Sequence, residues 1–239
     1  MHRDGCMSGN VEAARIQREY ERRAKDIPAG FYGLDKSANF FAHCQVARRT
    51  ISLLSHHGLL PLQGRKIADI GCGAGNWLLE FMQWGAKPDD LFGIDLDASR
   101  IDEARERIPG ATLRAGDASA LPLAGGLIDL ACQFTAFSSV LDEPMKQAMA
   151  AEMLRVLRDD GAILWYDLRV GNPANPAVRG IGMDELRHLF PGCRFDAHRV
   201  TLAPPIARAV APRSWTAASL LEKLPALCSH SLVLIGKVA

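Results

Sequence analysis

The chain has 239 residues, 48% hydrophobic and 23% charged, which fits one elaborated globular domain and excludes a fibrous or disordered chain. No apolar run reaches membrane-spanning length, the start MHRDGCMSGN lacks the apolar stretch of a secretory leader, and a net charge of +1 gives no general grip on nucleic acid. Six scattered cysteines with no CxxC pair point to reduced thiols in the cytoplasm, with no disulfide framework and no metal site.

Residues 11–26 read as a charged amphipathic helix stopped by Pro28 and Gly30. A second helix runs from Ser37, an N-cap residue, to His57, with Gly58 closing it. Residues 1–60 are thus expected to form a helical cap ahead of a domain at 61–239. From there, short apolar runs alternate with helical stretches. The runs are Lys66–Ile70, Leu91–Asp95, Ala111–Arg114, Leu127–Gln133 and Ala162–Asp167. The helices between them fall at 76–84, 99–108 and 143–158. This alternation specifies an α/β fold, a doubly wound, mostly parallel sheet with helices on both faces. Two later runs, Arg194–Leu202 and Ser231–Val238, read as strands flanking a Pro-rich, partly helical insert at 203–229.

Directly after the first of these strands comes Asp69-Ile-Gly71-Cys72-Gly73-Ala-Gly75-Asn76-Trp77. Alternate glycines let a backbone turn sharply against a ligand. A helix opening at Asn76 or Trp77 offers free N–H groups to the ligand's negative end. A nucleotide dehydrogenase also uses a glycine loop, but its spacing is GxGxxG and this one is GxGxG. An acid two residues before the first glycine would repel a pyrophosphate and suit an ammonium or sulfonium group. Asp95, at the end of the second strand and 20 residues beyond Gly75, is placed to accept bonds from two ribose hydroxyls. Capping the next helix is the plainer role there, and Asp97 suits it better. Asp117 follows the third strand, so Asp69, Asp95 and Asp117 all stand at strand C-terminal ends, where open α/β sheets bind ligands.

With these residues in place, the chain resembles the class I S-adenosylmethionine-dependent methyltransferases, in their broad small-molecule group. The resemblance lies in IADIGCGAGNW (67–77), GIDLDASRIDEAR (93–105), AGDASALPL (115–123), IDLACQFTAF (128–137) and LRDDGAILWYD (157–167). It implies a Rossmann-like, seven-stranded sheet whose last strand is antiparallel, with S-adenosylmethionine as cofactor. It also implies site roles. Asp69, Gly71, Cys72, Gly73, Gly75, Asn76 and Trp77 would surround the methionine end, Cys72 through its backbone and not as a nucleophile. Asp95 would hold the ribose and Leu96 would pack on adenine. Asp117 and Ala118 would face the adenine amino group, and Gln133 with Phe134 would frame the sulfonium.

Methyl transfer relies on alignment, and a general base is needed only if the acceptor must lose a proton, so the sequence names no catalytic residue. The acceptor is expected to be a small or medium-sized metabolite, anionic or partly hydrophobic; a macromolecular acceptor or a catalytically silent cofactor-binding protein is the alternative. Charge runs +3 over residues 1–60, −7 over 61–168 and +5 over 169–239, as solvated surface alone also allows. Candidate acceptor contacts are Tyr20 and Tyr32 in the cap, Thr135 after the fourth strand, and Arg169, Asn172 and Arg179 in a rigid loop with two Asn-Pro steps. The insert 203–229 is expected to pack on the domain, with a lid, a dimer face or weak membrane contact as the other readings.

Overall fold

The computed structural model describes residues 4–28, 30–171 and 175–237. Two helices, α1 (Asp4–Asp26) and α2 (Ser37–His56), precede the sheet. Then follow β1 (Ile67–Ile70), α3 (Asn76–Gln83), β2 (Leu91–Asp95), α4 (Ala98–Arg107), β3 (Thr112–Ala115) and β4 (Ile128–Phe134). The remainder is α5 (Glu143–Val156), β5 (Leu157–Leu168), α6 (Met183–Leu189), β6 (Cys193–Leu202), α7 (Pro204–Val210), α8 (Trp215–Leu221) and β7 (Cys228–Lys237).

The seven strands are ordered β3-β2-β1-β4-β5-β7-β6. The first five pair in parallel, and β7 lies antiparallel between β5 and β6. Each central strand is apolar on both faces because both are covered. Ala68, Ile70, Ala131, Ile163, Trp165 and Val233 point into a core shared with α5, α6 and Ile16 of α1. Ile67, Leu130, Cys132, Leu164 and Leu232 point into the opposite core, shared with α2, α3 and α4. The first β–α crossovers and the Leu121–Leu123 segment therefore wrap both sides of the sheet, as the alternating runs predict.

Local chemistry sets the helix ends. Asp97 caps α4 by accepting from the N–H groups of Ser99 and Arg100, and Asp142 caps α5 through Met145 N–H at 2.8 Å. Ser37 is the first helical residue of α2 and not its cap; Lys36 holds that position and makes no side-chain capping bond. Strand β5 begins at Leu157, five residues ahead of the expected start. The chain passes from α5 straight into extended backbone through Arg158, Asp159 and Asp160, whose exposed polar side chains conceal the strand, and the pairing with β4 shifts register between Ile128 and Leu130. Val238, the expected end of the last strand, lies outside the described residues.

The insert packs on the domain. Ala207, Ala211 and Ala218 join Leu202 and α2's Ala38 and Phe41 in a third apolar cluster. On the opposite face, Lys146 of α5 is fully buried, with Nζ 2.9 Å from Glu185 of α6 and 3.9 Å from Glu143. Removing Glu185 leaves a buried ammonium without its close partner, whereas removing Lys146 leaves Glu185 in a bidentate pair with Arg179. Glu185→Ala should therefore destabilise by about 3 kcal/mol, while Lys146→Met should be close to neutral. Thermal unfolding checks this: a variant Lys146→Met that unfolds as early as Glu185→Ala would show that the ammonium itself holds α5.

Candidate active site

The sheet's C-terminal edge turns on the loop after β1. Gly71, Gly73 and Gly75 have φ of 75°, 53° and 77°, left-handed backbone that side chains rarely adopt. Their missing Cβ atoms make room chiefly for the protein's own chain. A Cβ on Gly71 would stand 2.6 Å from Ala136 Cβ, and one on Gly73 would strike the Arg100 guanidinium at 2.6 Å. The loop is bound to β2 from both sides. Ile94 C=O accepts from Gly71 and Cys72 N–H at 2.8 and 3.0 Å, and Asp95 Oδ2 accepts from Gly73 N–H at 2.8 Å. Asp95 Oδ1 accepts from Asp97 N–H at 2.9 Å. A buried carboxylate thus joins the glycine loop to the β2 turn, with lone pairs remaining for a hydroxyl-bearing ligand.

Beside this loop lies a cavity of about 440 Å³. Gly71, Asp95, Leu96, Gly116 and Ala118 form its sheet-edge wall; Ala136, Ser139, Val140, Met145 and Met149 form the β4–α5 wall. Ile16 and Tyr20 of α1 complete it. Helix α1 crosses the strand ends and is tied at both banks. Gln17 Nε2 donates to Leu96 C=O at 3.0 Å after β2, and Arg15 Nη2 donates to Ser139 C=O at 2.6 Å after β4. Glu12 meanwhile accepts from the N–H groups of Leu141 and Asp142. The first helix is therefore a roof.

Two buried carboxyls stand at strand ends. Asp69 is 1% exposed, its Oδ1 has no partner among the described residues, and burial with the nearby Asp95 charge pushes its pKa up to about 8. The raised pKa favours the neutral acid, and a cationic group brought to the base of the loop would favour the carboxylate. Asp167, at the end of β5, is pushed up to about 6 by burial, against the lowering effect of bonds from Ser138 and Leu168 N–H at 3.0 and 2.8 Å. Sequence reasoning passed over Asp167, which fixes the turn after β4. It also passed over Arg100, whose guanidinium lies beside Gly73 and 5.8 Å from the Tyr20 ring centroid. One turn into α4, that arginine carries no motif signal. Cys72 is buried and its thiol is pushed above the usual range, chiefly by burial.

The expected residues divide accordingly. Gly71, Asp95, Leu96, Ala118 and Tyr20 meet at the cavity. Asp117 is half-buried outside that lining, its Oδ1 accepting from Ser119 N–H at 2.8 Å. Gln133 lies outside that lining, its amide fully buried, donating to Tyr166 C=O and accepting from Ala136 N–H. Phe134 stacks on Trp77 at 3.9 Å in the core of the α2–α3 face, away from the cavity lining. Asn76 accepts from Arg107, which also holds Ala74 C=O. Thr135 takes a left-handed φ of 62° beside Ala136, with its N–H bonded to Tyr166 C=O. Tyr32 is 68% exposed and packs on Phe31, outside the cavity. The two arginines of the loop differ in how far they are matched. Arg179 makes a bidentate pair with Glu185 at 2.9 and 2.6 Å, and Arg169 donates to Cys228 C=O. Asn172 lies outside the described residues. His230 is buried and stacked on Tyr166, whereas His188 is exposed.

Residues 67–161 match the family model described as a methyltransferase domain. The chain is 29% identical over 115 residues, 47% of its length, to phthiotriol/phenolphthiotriol dimycocerosates methyltransferase 1 of Mycobacterium ulcerans. It is 28% identical over 159 residues, 66% of its length, to a tRNA (carboxymethyluridine(34)-5-O)-methyltransferase of Xenopus tropicalis. The matches span only 41% and 22% of those two relatives. Its fold is like that of a TehB-like S-adenosylmethionine-dependent methyltransferase from Corynebacterium glutamicum, with TM-score 0.55, 19% identity, and coverage of 96% of this chain and 100% of that one. Residues 67–161 thus match a methyltransferase domain, and the chain has the Rossmann-like fold of class I methyltransferases, whose cofactor is S-adenosylmethionine. The residues present fit it: an unpartnered buried acid below the loop, a strand-end carboxylate and an adjoining cavity.

Two results follow. Asp69 binds a proton in the fold that the unfolded chain releases above about pH 4, so it makes stability fall as pH rises from about 4 to 8. The melting temperature of ligand-free Asp69→Asn should gain on wild type across that window and stop gaining above it. A constant difference from pH 4 to 9 would refute the shift. Asp95→Ala should weaken S-adenosylhomocysteine binding about ten- to a hundredfold. Because it also leaves Gly73 N–H without its acceptor, it should destabilise the fold by about 1–3 kcal/mol, where the motif alone suggests an intact fold. Unchanged affinity in calorimetry would remove Asp95 from the cofactor site.

Proposed function

We propose that the protein transfers a methyl group from S-adenosylmethionine to a small or medium-sized, partly apolar metabolite. The observation that carries this reading is the roof: α1 spans the cleft, and Ile16, Val140, Met145 and Met149 give the cavity an apolar lining. A site covered this way suits a compact acceptor. Arg179 is matched by Glu185, so an anionic acceptor would rest on Arg169, which donates to Cys228 C=O and whose buried Nε has no partner among the described residues.

The cofactor supplies a methyl carbon already activated by positive sulfur. In this reading Asp95 holds the ribose hydroxyls, and Leu96, Gly116 and Ala118 receive the adenine. Asp69 favours the ammonium from below the glycine loop, and Arg100 takes the carboxylate end. Tyr20 and Ile16 keep water from the reacting groups. Fixing two partners in line contributes on the order of 7–11 kcal/mol, so no acid–base pair is required of the site. The five free cysteines among the described residues suit a reducing cytoplasm, the compartment proposed here. No described helix is long and apolar enough to cross a membrane.

Incubation with methyl-labelled S-adenosylmethionine and separate small-molecule, RNA and protein fractions of a cell extract tests the reading. Label should enter the small-molecule fraction and be lost with Asp95→Ala. Label in RNA or protein alone would overturn the acceptor class, and no label in any fraction would favour a silent cofactor-binding protein.

A further inference from the structure

A second cluster of chemistry-bearing side chains lies away from the cavity, where the end of α2 meets the edge strand β6. His56 is the last helical residue of α2, and His57 follows as its C-cap. Neighbours on a helix do not face each other, but the cap leaves helical geometry at φ −93°, ψ 9°, and the two rings come to 5.1 Å at 87°. Across from them, Asp196 and His198 sit two apart on β6 and so share one face of the strand. His57 Nε2 is 2.8 Å from Asp196 Oδ2, and His198 Nε2 is 3.0 Å from Asp196 Oδ1. One ligating atom each from His56, His57 and Asp196 lies within 4.8 Å of the others.

We propose that His56, His57 and Asp196 form a surface site for a divalent ion of the zinc class, with His198 orienting the carboxylate from its second oxygen. Two imidazoles and one carboxylate, without thiolates, are a donor set that suits zinc, with three protein ligands leaving a coordination position open. Bonds of about 2.0–2.1 Å in a tetrahedron place donor atoms roughly 3.3 Å apart. Exposed rings reach that spacing by small rotations. Ligating carboxylates in such sites usually have a further partner, and His198 Nε2 stands 3.0 Å from the second oxygen of Asp196. The ion would pin the C-terminus of α2 to the sheet edge, joining residues 139 positions apart in the chain. The sequence pointed to no metal site because its cysteines are scattered, and ligands this far apart in the chain carry no spacing signal.

The test is calorimetric titration of Zn²⁺ alone into chelator-stripped, desalted wild-type protein. One ion should bind per chain. His56→Gln, His57→Gln and Asp196→Asn should each weaken binding by about tenfold or more, His198→Gln by less, and the exposed His188→Gln not at all. At about 100 times Kd, Zn²⁺ should raise the wild-type melting temperature by roughly 5–10 °C. These side chains lie at the surface, and circular dichroism confirms that each variant is folded. No binding, binding of equal strength in the three ligand variants, or a weak non-stoichiometric uptake marking an adventitious ion only would overturn the site.

Discussion

The arrangement of the cleft depends on one carboxylate. Asp95 stands where β2 ends and accepts from Gly73 N–H with one oxygen and Asp97 N–H with the other. Three left-handed glycines in five residues would otherwise make a loop with little reason to hold one path. Tied to Asp95 and to Ile94 C=O, the loop has its position before any ligand arrives. The same tie sets where α3 begins, since Gly75 is its N-cap, and where α4 begins, since Asp97 is held as its cap. A residue assigned to ligand recognition is thus also a structural pin.

Around this pin the charges are arranged for a ligand with a cationic end. Asp69 is fully buried, which disfavours its charge, and the nearby Asp95 adds to that, so its pKa is raised and the protonated form is favoured. A positive group brought near would reverse that preference. Arg100 stands on the other side of Gly73, so the loop has an acid beneath it and a guanidinium beside it. An amino-acid end, carrying both signs, is the matching chemistry. The roof helix then excludes water, which strengthens each of these interactions.

Much of the architecture was legible because it follows from periodicity. Apolar runs bounded by Gly or Asp marked β1 to β4 to within a residue or so, since β1, β2 and β4 are buried on both faces. The polar start of β5 was not legible, because Arg158, Asp159 and Asp160 read as a loop. The glycine–acid block pointed to the strand-end edge where a cavity lies, and Asp97 was recognisable as the cap. Roles set by three-dimensional neighbours were hidden. Gln133 looked like a ligand contact and is an internal brace; Arg179 looked like an anion clamp and is matched by Glu185. Arg100 gave no signal because its meaning comes from Gly73, 27 residues earlier. The closing of the cleft by α1 was foreshadowed only by Tyr20, since a charged amphipathic helix reveals that it packs but not on what.

The central claim is that the glycine loop, the Asp95 turn and the roof helix form one cofactor site. Amide chemical-shift mapping of the isotopically labelled protein with S-adenosylhomocysteine tests it most directly. The account predicts a single saturable set of shifts at Gly71–Gly75, Asp95–Leu96, Gly116–Ala118 and, across the cleft, at Ile16 and Tyr20. Shifts centred elsewhere, or binding that leaves Ile16 and Tyr20 unmoved, would contradict it.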